Sequence, residues 1–175
     1  MPFTPVHLGP GAAFKIFGGR YFSFTVFGFS QVAIDVEVLI RMCRGDSIFH
    51  GFTHTYLGAT LIGIASILIG KPVCESCLWI WNEVVSPEGH NRSYISPRIS
   101  WLAALMGAMI GVYSHVFIDS IMHVHMHPLA PFSDANPLFG VIAVGSLRLL
   151  CIGLGAFAAV SLLIMAVWRK ANRSK

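Results

Sequence analysis

Charge is scarce in this sequence. Asp, Glu, Lys and Arg make up 11% of its 175 residues, against 55% hydrophobic ones. About a quarter of a soluble domain is charged, so a water-soluble globule of this composition would lack the polar surface to cover itself. Mean hydropathy is +0.69. The expected class is all-α: a polytopic membrane helix bundle, one integral-membrane domain over 1–175. The small basic excess, 12 Lys and Arg against 8 Asp and Glu, is not clustered with aromatics. That argues against a nucleic-acid partner, and cytoplasmic loops of membrane proteins are commonly basic.

Other absences narrow the reading further. There are four cysteines, and Cys74 and Cys77 form a lone C-x-x-C in an expected loop. No second pair completes a zinc ribbon. No basic stretch precedes the first apolar run, and Pro2 and Pro5 interrupt any signal-peptide helix. The first span is therefore expected to act as the insertion signal. No internal repeat is visible, whereas many transporters are built from repeated halves.

What is present is a set of long apolar runs. Four of them, at 22–42, 46–70, 98–122 and 141–168, reach the roughly 20 residues a bilayer span requires. Residues 8–20 are too short to span and read as a re-entrant or interfacial segment. Lys71-Pro72 is expected to stop the second span. Residues 71–97 then form a polar loop, with a short interfacial helix near 78–85 and a turn at 86–89. Gly107 and Gly111 make a G-x-x-x-G close-packing signal. Residues 123–140 form a Pro-rich loop. Lys15, Arg20, Lys71, Arg92, Arg98 and the basic C-terminus fall on one side, read as cytoplasmic. Trp79, Trp81, Trp101 and Trp168 lie near that interface as anchors.

The chemistry-bearing residues gather at the opposite side. His115, Asp119 and His123 are spaced i, i+4, i+8 and share a helix face. His50 and His54 are spaced i, i+4 at an expected helix start. Such pairs of nitrogen and carboxylate donors suit a divalent metal. Ionisable groups inside a span cost about 2.5–3.5 kcal/mol each on insertion scales, so they persist where paired or ligated. Asp35 and Glu37 are two residues apart and point to different sides of a helix. Asp35 is the better candidate for ligand or general base, while Glu37 has Arg41 at i+4 as an ion-pair partner. A simple span count puts His7 on the basic side, away from this group. His90 and His125 read as bland, and His123 as secondary.

Five stretches also carry a family resemblance: M-P-F-T-P-V-H at 1–7, I-D-V-E at 34–37, H-G-F-T-H-T-Y-L-G at 50–58, S-H-V-F-I-D at 114–119 and M-H-P-L-A-P-F-S at 126–133. The chain resembles the bacterial inner-membrane family labelled membrane-bound metal-dependent hydrolase (YdjM-like). The resemblance implies a functional set of His7, Asp35, His50, His54, His115, Asp119 and His127. In that set His7, His50, His54, His115 and Asp119 are metal ligands, and Asp35 and His127 act on the reacting groups. It also makes a re-entrant N-terminal segment the expected way for His7 to reach the others. The implied cofactor is a divalent metal, zinc first. The implied activity is hydrolysis of a lipid or phosphoester by a metal-activated water, near the periplasmic side of the inner membrane, with membrane lipids as partners. No Glu follows a His at four residues, so one or two metals are expected rather than three. A transporter and a non-catalytic protein with a structural metal are the competing expectations.

Overall fold

The computed structural model describes residues 5–85 and 95–173. The expected turn at 86–89, His90, Arg92 and residues 1–4 of the opening motif lie outside the described residues.

Two capped helices form the centre. Ser23 opens α2 (Phe24–Arg44): its Oγ accepts from the Val26 N–H, and Gly45 closes the helix in the left-handed region at φ 76°. Ser100 opens α5 (Trp101–Met122) in the same way through the Ala103 N–H. A side-chain oxygen thus satisfies an amide that has no partner within the helix. The two helices meet through small residues. A Cβ on Gly107 would fall on the Ser23 carbonyl, and one on Gly111 on the Ser30 hydroxyl. The G-x-x-x-G therefore packs α5 directly on α2, and Ser23 N–H donates across to the Ala103 carbonyl at 3.1 Å. Gly107→Val is expected to force the helices apart at a cost of about 1–3 kcal/mol, lowering the thermal midpoint in detergent. Gly153→Val, where nothing lies within 4 Å of an added Cβ, is expected to leave it unchanged. Equal midpoints would show that this contact does not hold the bundle.

The second expected span differs at both ends. Residues 46–51 are not helical; a 3-10 turn, Phe52–His54, precedes α3 (Tyr56–Ala65), which Thr55 caps through the Gly58 N–H. At the other end Lys71-Pro72 does not stop the helix. A π-helical turn, Ser66–Gly70, leads into α4 (Lys71–Val85), so one helix runs from Tyr56 to Val85. Proline lacks an N–H and its ring collides with the carbonyl four residues back. The wider π turn immediately before Pro72 removes that collision. Residues expected as loop are thus helical, and Cys74 (buried) and Cys77 (exposed) sit on α4 as free thiols.

Among the described residues, three helices are long and apolar enough to cross a membrane: Tyr56–Val85, Trp101–Met122 and Val144–Trp168. The last belongs to α6 (Val144–Arg173). Four spans were expected. α2 has the length, but Asp35, Glu37, Arg41 and Arg44 keep it from counting as an apolar span. Only 11% of the α6 span is buried against protein, so most of its apolar surface needs lipid around it. There is no strand among the described residues.

The N-terminal segment is a helix, α1 (Leu8–Gly18), joined to α2 by a 3-10 turn, Gly19–Tyr21. Its 11 residues span about 16 Å, roughly half of a hydrocarbon core. It wedges between α2 and α6. Gly9 lies against the backbone of Cys151 and Gly155, where a Cβ would not fit. The half-length helix starts beside Asp119, near the end of α5, and runs back to the start of α2. At the end of the bundle where α5 begins, Lys71 pairs with Glu75 at 2.8 Å and sits 4.7 Å over the Trp101 ring.

Candidate metal centre

The site lies where α2, α5, the Phe52–His54 turn and the residues just before α1 meet. α5 presents His115 and Asp119 one turn apart, and both are buried. α2 presents Asp35, also buried. A floor of Ile34, Ala59, Val112, Val116 and Met126 packs beneath them.

Each key imidazole is oriented by a neighbour. His115 Nδ1 lies 2.6 Å from Gln31 Oε1, while Gln31 Nε2 donates to the Gly111 carbonyl at 2.9 Å. That second bond fixes the amide orientation, so Nδ1–H is the donor and Nε2 carries the lone pair. His54 Nδ1 lies 3.1 Å from Thr53 Oγ1, whose hydroxyl proton is directed at Glu37 Oε2 (2.7 Å) and the Ile34 carbonyl (3.0 Å). His54 therefore also turns Nε2 inward. Metal-binding histidines are held in this way by hydrogen bonds on the remote nitrogen.

Glu37 pins the turn that carries His54. Its carboxylate accepts from the Phe52 N–H at 3.2 Å, the Thr53 N–H at 2.7 Å and Arg41 Nε at 2.9 Å. Gly51 leaves room for the ends of the Glu37 and Arg41 side chains, which a Cβ there would displace. The expected Glu37–Arg41 ion pair is present at 2.8 Å. The contact with the His50–His54 segment, and the parts played by Gln31 and Thr53, had no signal in the spacing. Asp35 and Glu37 do point apart, one into the cluster and one to this turn.

His50 and His54 are not an i, i+4 pair on one α-helix, because the chain there is an extended segment followed by a 3-10 turn. Tertiary contact brings them together instead. Their rings meet edge to face at 4.8 Å, and both Nε2 atoms face Asp119 Oδ2, at 3.6 and 3.7 Å. His7 is likewise in the cluster and not on the far side: Nε2 lies 3.5 Å from Asp119 Oδ1. The half-length α1 is what carries it there.

The separations have one consistent scale. His115 Nε2 is 3.3 Å from both Asp35 Oδ1 and Asp119 Oδ2. His54 Nε2 is 3.5 Å from Asp35 Oδ1 and 3.7 Å from Asp119 Oδ2. These are longer than N–H···O hydrogen bonds, which run to about 3.2 Å. The two from His115 match the edge of a tetrahedron with bonds of about 2.0–2.1 Å, about 3.3–3.4 Å, and the two from His54 are slightly longer. His7 Nδ1 and Nε2, His54 Nε2 and His115 Nε2 are buried without a hydrogen-bond partner. Leaving such an atom unsatisfied costs about 1–3 kcal/mol. Burial pushes the His7 imidazole down to about 4 and lowers that of His54, which keeps both neutral and able to donate a lone pair. Three donor sets result, each within 4.8 Å: His7, His115 and Asp119; Asp35, His54 and His115; and His50, His54 and Asp119. The residues present can hold a metal ion.

The three further histidines, His123, His125 and His127, differ in placement. His123 lies at the rim, with Nε2 4.0 Å from Asp119 Oδ1 and its ring 4.3 Å from that of His50. His127 is exposed; its Nδ1 donates to the Asp134 carbonyl at 2.7 Å, and it is in none of the three donor sets. His125 is exposed as well.

No curated protein and no solved structure matches the chain. The resemblance to metal-dependent hydrolases is not repeated by the family comparison, which carries no activity. Residues 1–174 match the domain of unknown function DUF4184, and the chain belongs to that family.

Proposed function

We propose that this protein is a membrane-bound, metal-dependent hydrolase, with zinc as the ion and a lipid or other phosphoester as the substrate. The observation that carries the reading is the pair of buried imidazoles His54 and His115, whose Nε2 atoms have no hydrogen-bond partner and each lie 3.3–3.7 Å from the carboxylates of both Asp35 and Asp119. A divalent ion held there lowers the pKa of a water and polarises a phosphoryl or acyl oxygen. Gln31 and Thr53 keep the two imidazoles in the ligating tautomer. Asp35, if released from ligation, is placed to take a proton from that water. His127, whose Nε2 is not used by its bond to Asp134, is assigned proton donation to the leaving group from the loop.

Depth supports a lipid substrate. Asp119 lies one turn from the end of α5, so the cluster is within reach of headgroups at that boundary. The basic residues at the other end favour an orientation with the site near the periplasmic face of a bacterial inner membrane. A structural metal is the second reading, favoured because His7, Asp35, His54, His115 and Asp119 are all buried, as the ligands of a closed site would be.

The test uses the full chain purified in detergent, with a phosphatidyl diester in mixed micelles as substrate. The expected result is bound zinc, with hydrolysis that chelation removes and zinc restores. Zinc without hydrolysis of any ester or phosphoester offered would favour the structural reading. A metal-free protein would end both.

A further inference from the structure

A cavity of about 430 Å³ opens at the other end of the bundle, between the last turn of α1, the start of α2, α4 and the residues that lead into α5. The length of α5, 22 residues or about 30 Å, separates it from the metal centre. Its charged lining is of one sign: Lys15, Arg20 and Arg98, with no carboxylate. Lys15 Nζ donates to the Gly19 and Phe22 carbonyls, both at 2.8 Å, which leaves one of its three N–H donors. Arg20 donates to the Tyr21 hydroxyl at 2.6 Å. Arg98 makes no hydrogen bond or ion pair among the described residues. Glu75 is within electrostatic reach of it, but that carboxylate is taken by Lys71 and the Ile99 N–H, both at 2.8 Å. Ser96 and Ser100 add hydroxyls to the lining, and Phe22 and Ala103 give it a buried apolar wall. Three like charges around one cavity repel one another, and an anion between them removes that cost.

We propose that this cavity binds the headgroup of an anionic phospholipid, with Arg98, Arg20 and Lys15 on the phosphate. The assignment is independent of the metal centre and of any activity there. Charge and shape select the phosphate: a guanidinium meets phosphate oxygens in pairs, and an ammonium adds a point charge. A headgroup that carries its own cation, such as choline, gains less from three positive side chains. Depth selects a lipid, rather than a dissolved phosphate, as the source. Trp101 is the first residue of α5, and it is exposed, as are Trp79 and Trp81 on α4. Tryptophans at the end of a span mark headgroup level, and Arg98 and Ser100 adjoin Trp101 in the chain. A phosphate seated there lets the acyl chains run along the apolar spans, a contact that free phosphate lacks. The headgroup also ties the last turn of α1, through Lys15, and the turn after it, through Arg20, to the residues before α5. A ligand that binds only this folded arrangement raises its stability by mass action.

Lipid titration of the full-length protein in a neutral detergent tests this, read by the unfolding midpoint and by lipid adducts in native mass spectrometry. The probes are phosphatidylglycerol, phosphatidylcholine and inorganic phosphate at equal concentrations. Phosphatidylglycerol is expected to raise the midpoint of wild type and to stay bound, and the other two are expected to do neither. The double variant Arg20→Gln/Arg98→Gln is expected to bind phosphatidylglycerol about 30-fold more weakly. Arg44→Gln/Arg148→Gln removes the same charge outside this lining and is expected to bind as wild type does. All four side chains are exposed, and elution volume establishes that each variant is folded. Equal protection by phosphatidylcholine overturns the selection for an anionic lipid. Equal protection by inorganic phosphate overturns the lipid as the source of the phosphate. Unchanged binding in Arg20→Gln/Arg98→Gln overturns the assigned residues, and an equal loss in both double variants overturns the cavity in favour of net charge. None of these outcomes bears on whether the His and Asp cluster holds metal.

Discussion

Asp119→Asn is expected to strip the centre of metal. Asp119 is the one group that faces His7, His50, His54, His115 and His123 together. Asparagine preserves its size but removes the charge and leaves one weakly ligating oxygen. Asp119 is 4% exposed, so water does not replace what is lost. Breaking a buried charged pair by removing one partner costs about 3–5 kcal/mol. By the same arithmetic the affinity for zinc falls about 10²- to 10⁴-fold. Competition against a chromophoric chelator measures this directly, and hydrolysis is expected to fall with it. Asp134→Asn is the control. Its residue is exposed on the loop, and only its backbone carbonyl is used, by His127. Should Asp119→Asn bind zinc as wild type does, the cluster is not the metal centre.

Gln31→Leu is expected to weaken zinc binding about 10–100-fold without removing any ligand, the usual effect of losing a hydrogen bond to a ligating histidine. Gln31 is buried on α2, one turn before Asp35, and holds His115 through a 2.6 Å contact. Leucine is similar in size but offers no acceptor. The His115 ring then has no partner on Nδ1, and the Gly111 carbonyl keeps the Ser114 hydroxyl but loses the Gln31 amide. Gln31→Glu returns an acceptor to Nδ1 and is expected to recover most of the affinity. A purely structural role would lower the melting temperature of both variants alike and leave the affinity of the folded protein unchanged. That outcome would refute the orienting role.

How much of this was legible in advance depends on the range of the interaction. The pair His115 and Asp119 follows from helix periodicity, because residues four apart on a regular helix share a face. The contact made by Gly107 and Gly111 follows from the same periodicity and the lack of side chains. Asp35 and Glu37 separate by direction for that reason too. Composition was enough for the all-helical, membrane-spanning class, although α2 carries too much charge to count as the fourth apolar span. The errors came where local rules compete with packing. His50 and His54 have helical spacing, but Glu37 binds the amides of Phe52 and Thr53 and holds that segment as a turn. Pro72 signals a helix end, but a π turn absorbs it.

The sequence by itself determined the class of the protein and the chemical character of its site. Low charge and long apolar runs require lipid or other apolar surroundings, and His and Asp in such runs require partners. Only the tertiary structure decided which of those residues meet. His7, Asp35, His54 and Asp119 come from four separate segments, and nothing in their linear spacing relates them. Glycine contacts between α5 and α2, and between α1 and α6, set helix distances. A half-length α1 sets the depth of His7. Gln31, Thr53 and Glu37 set the directions of rings and turns. A metal centre requires its donors within a few ångströms of one another and correctly turned, and that precision comes from packing between helices.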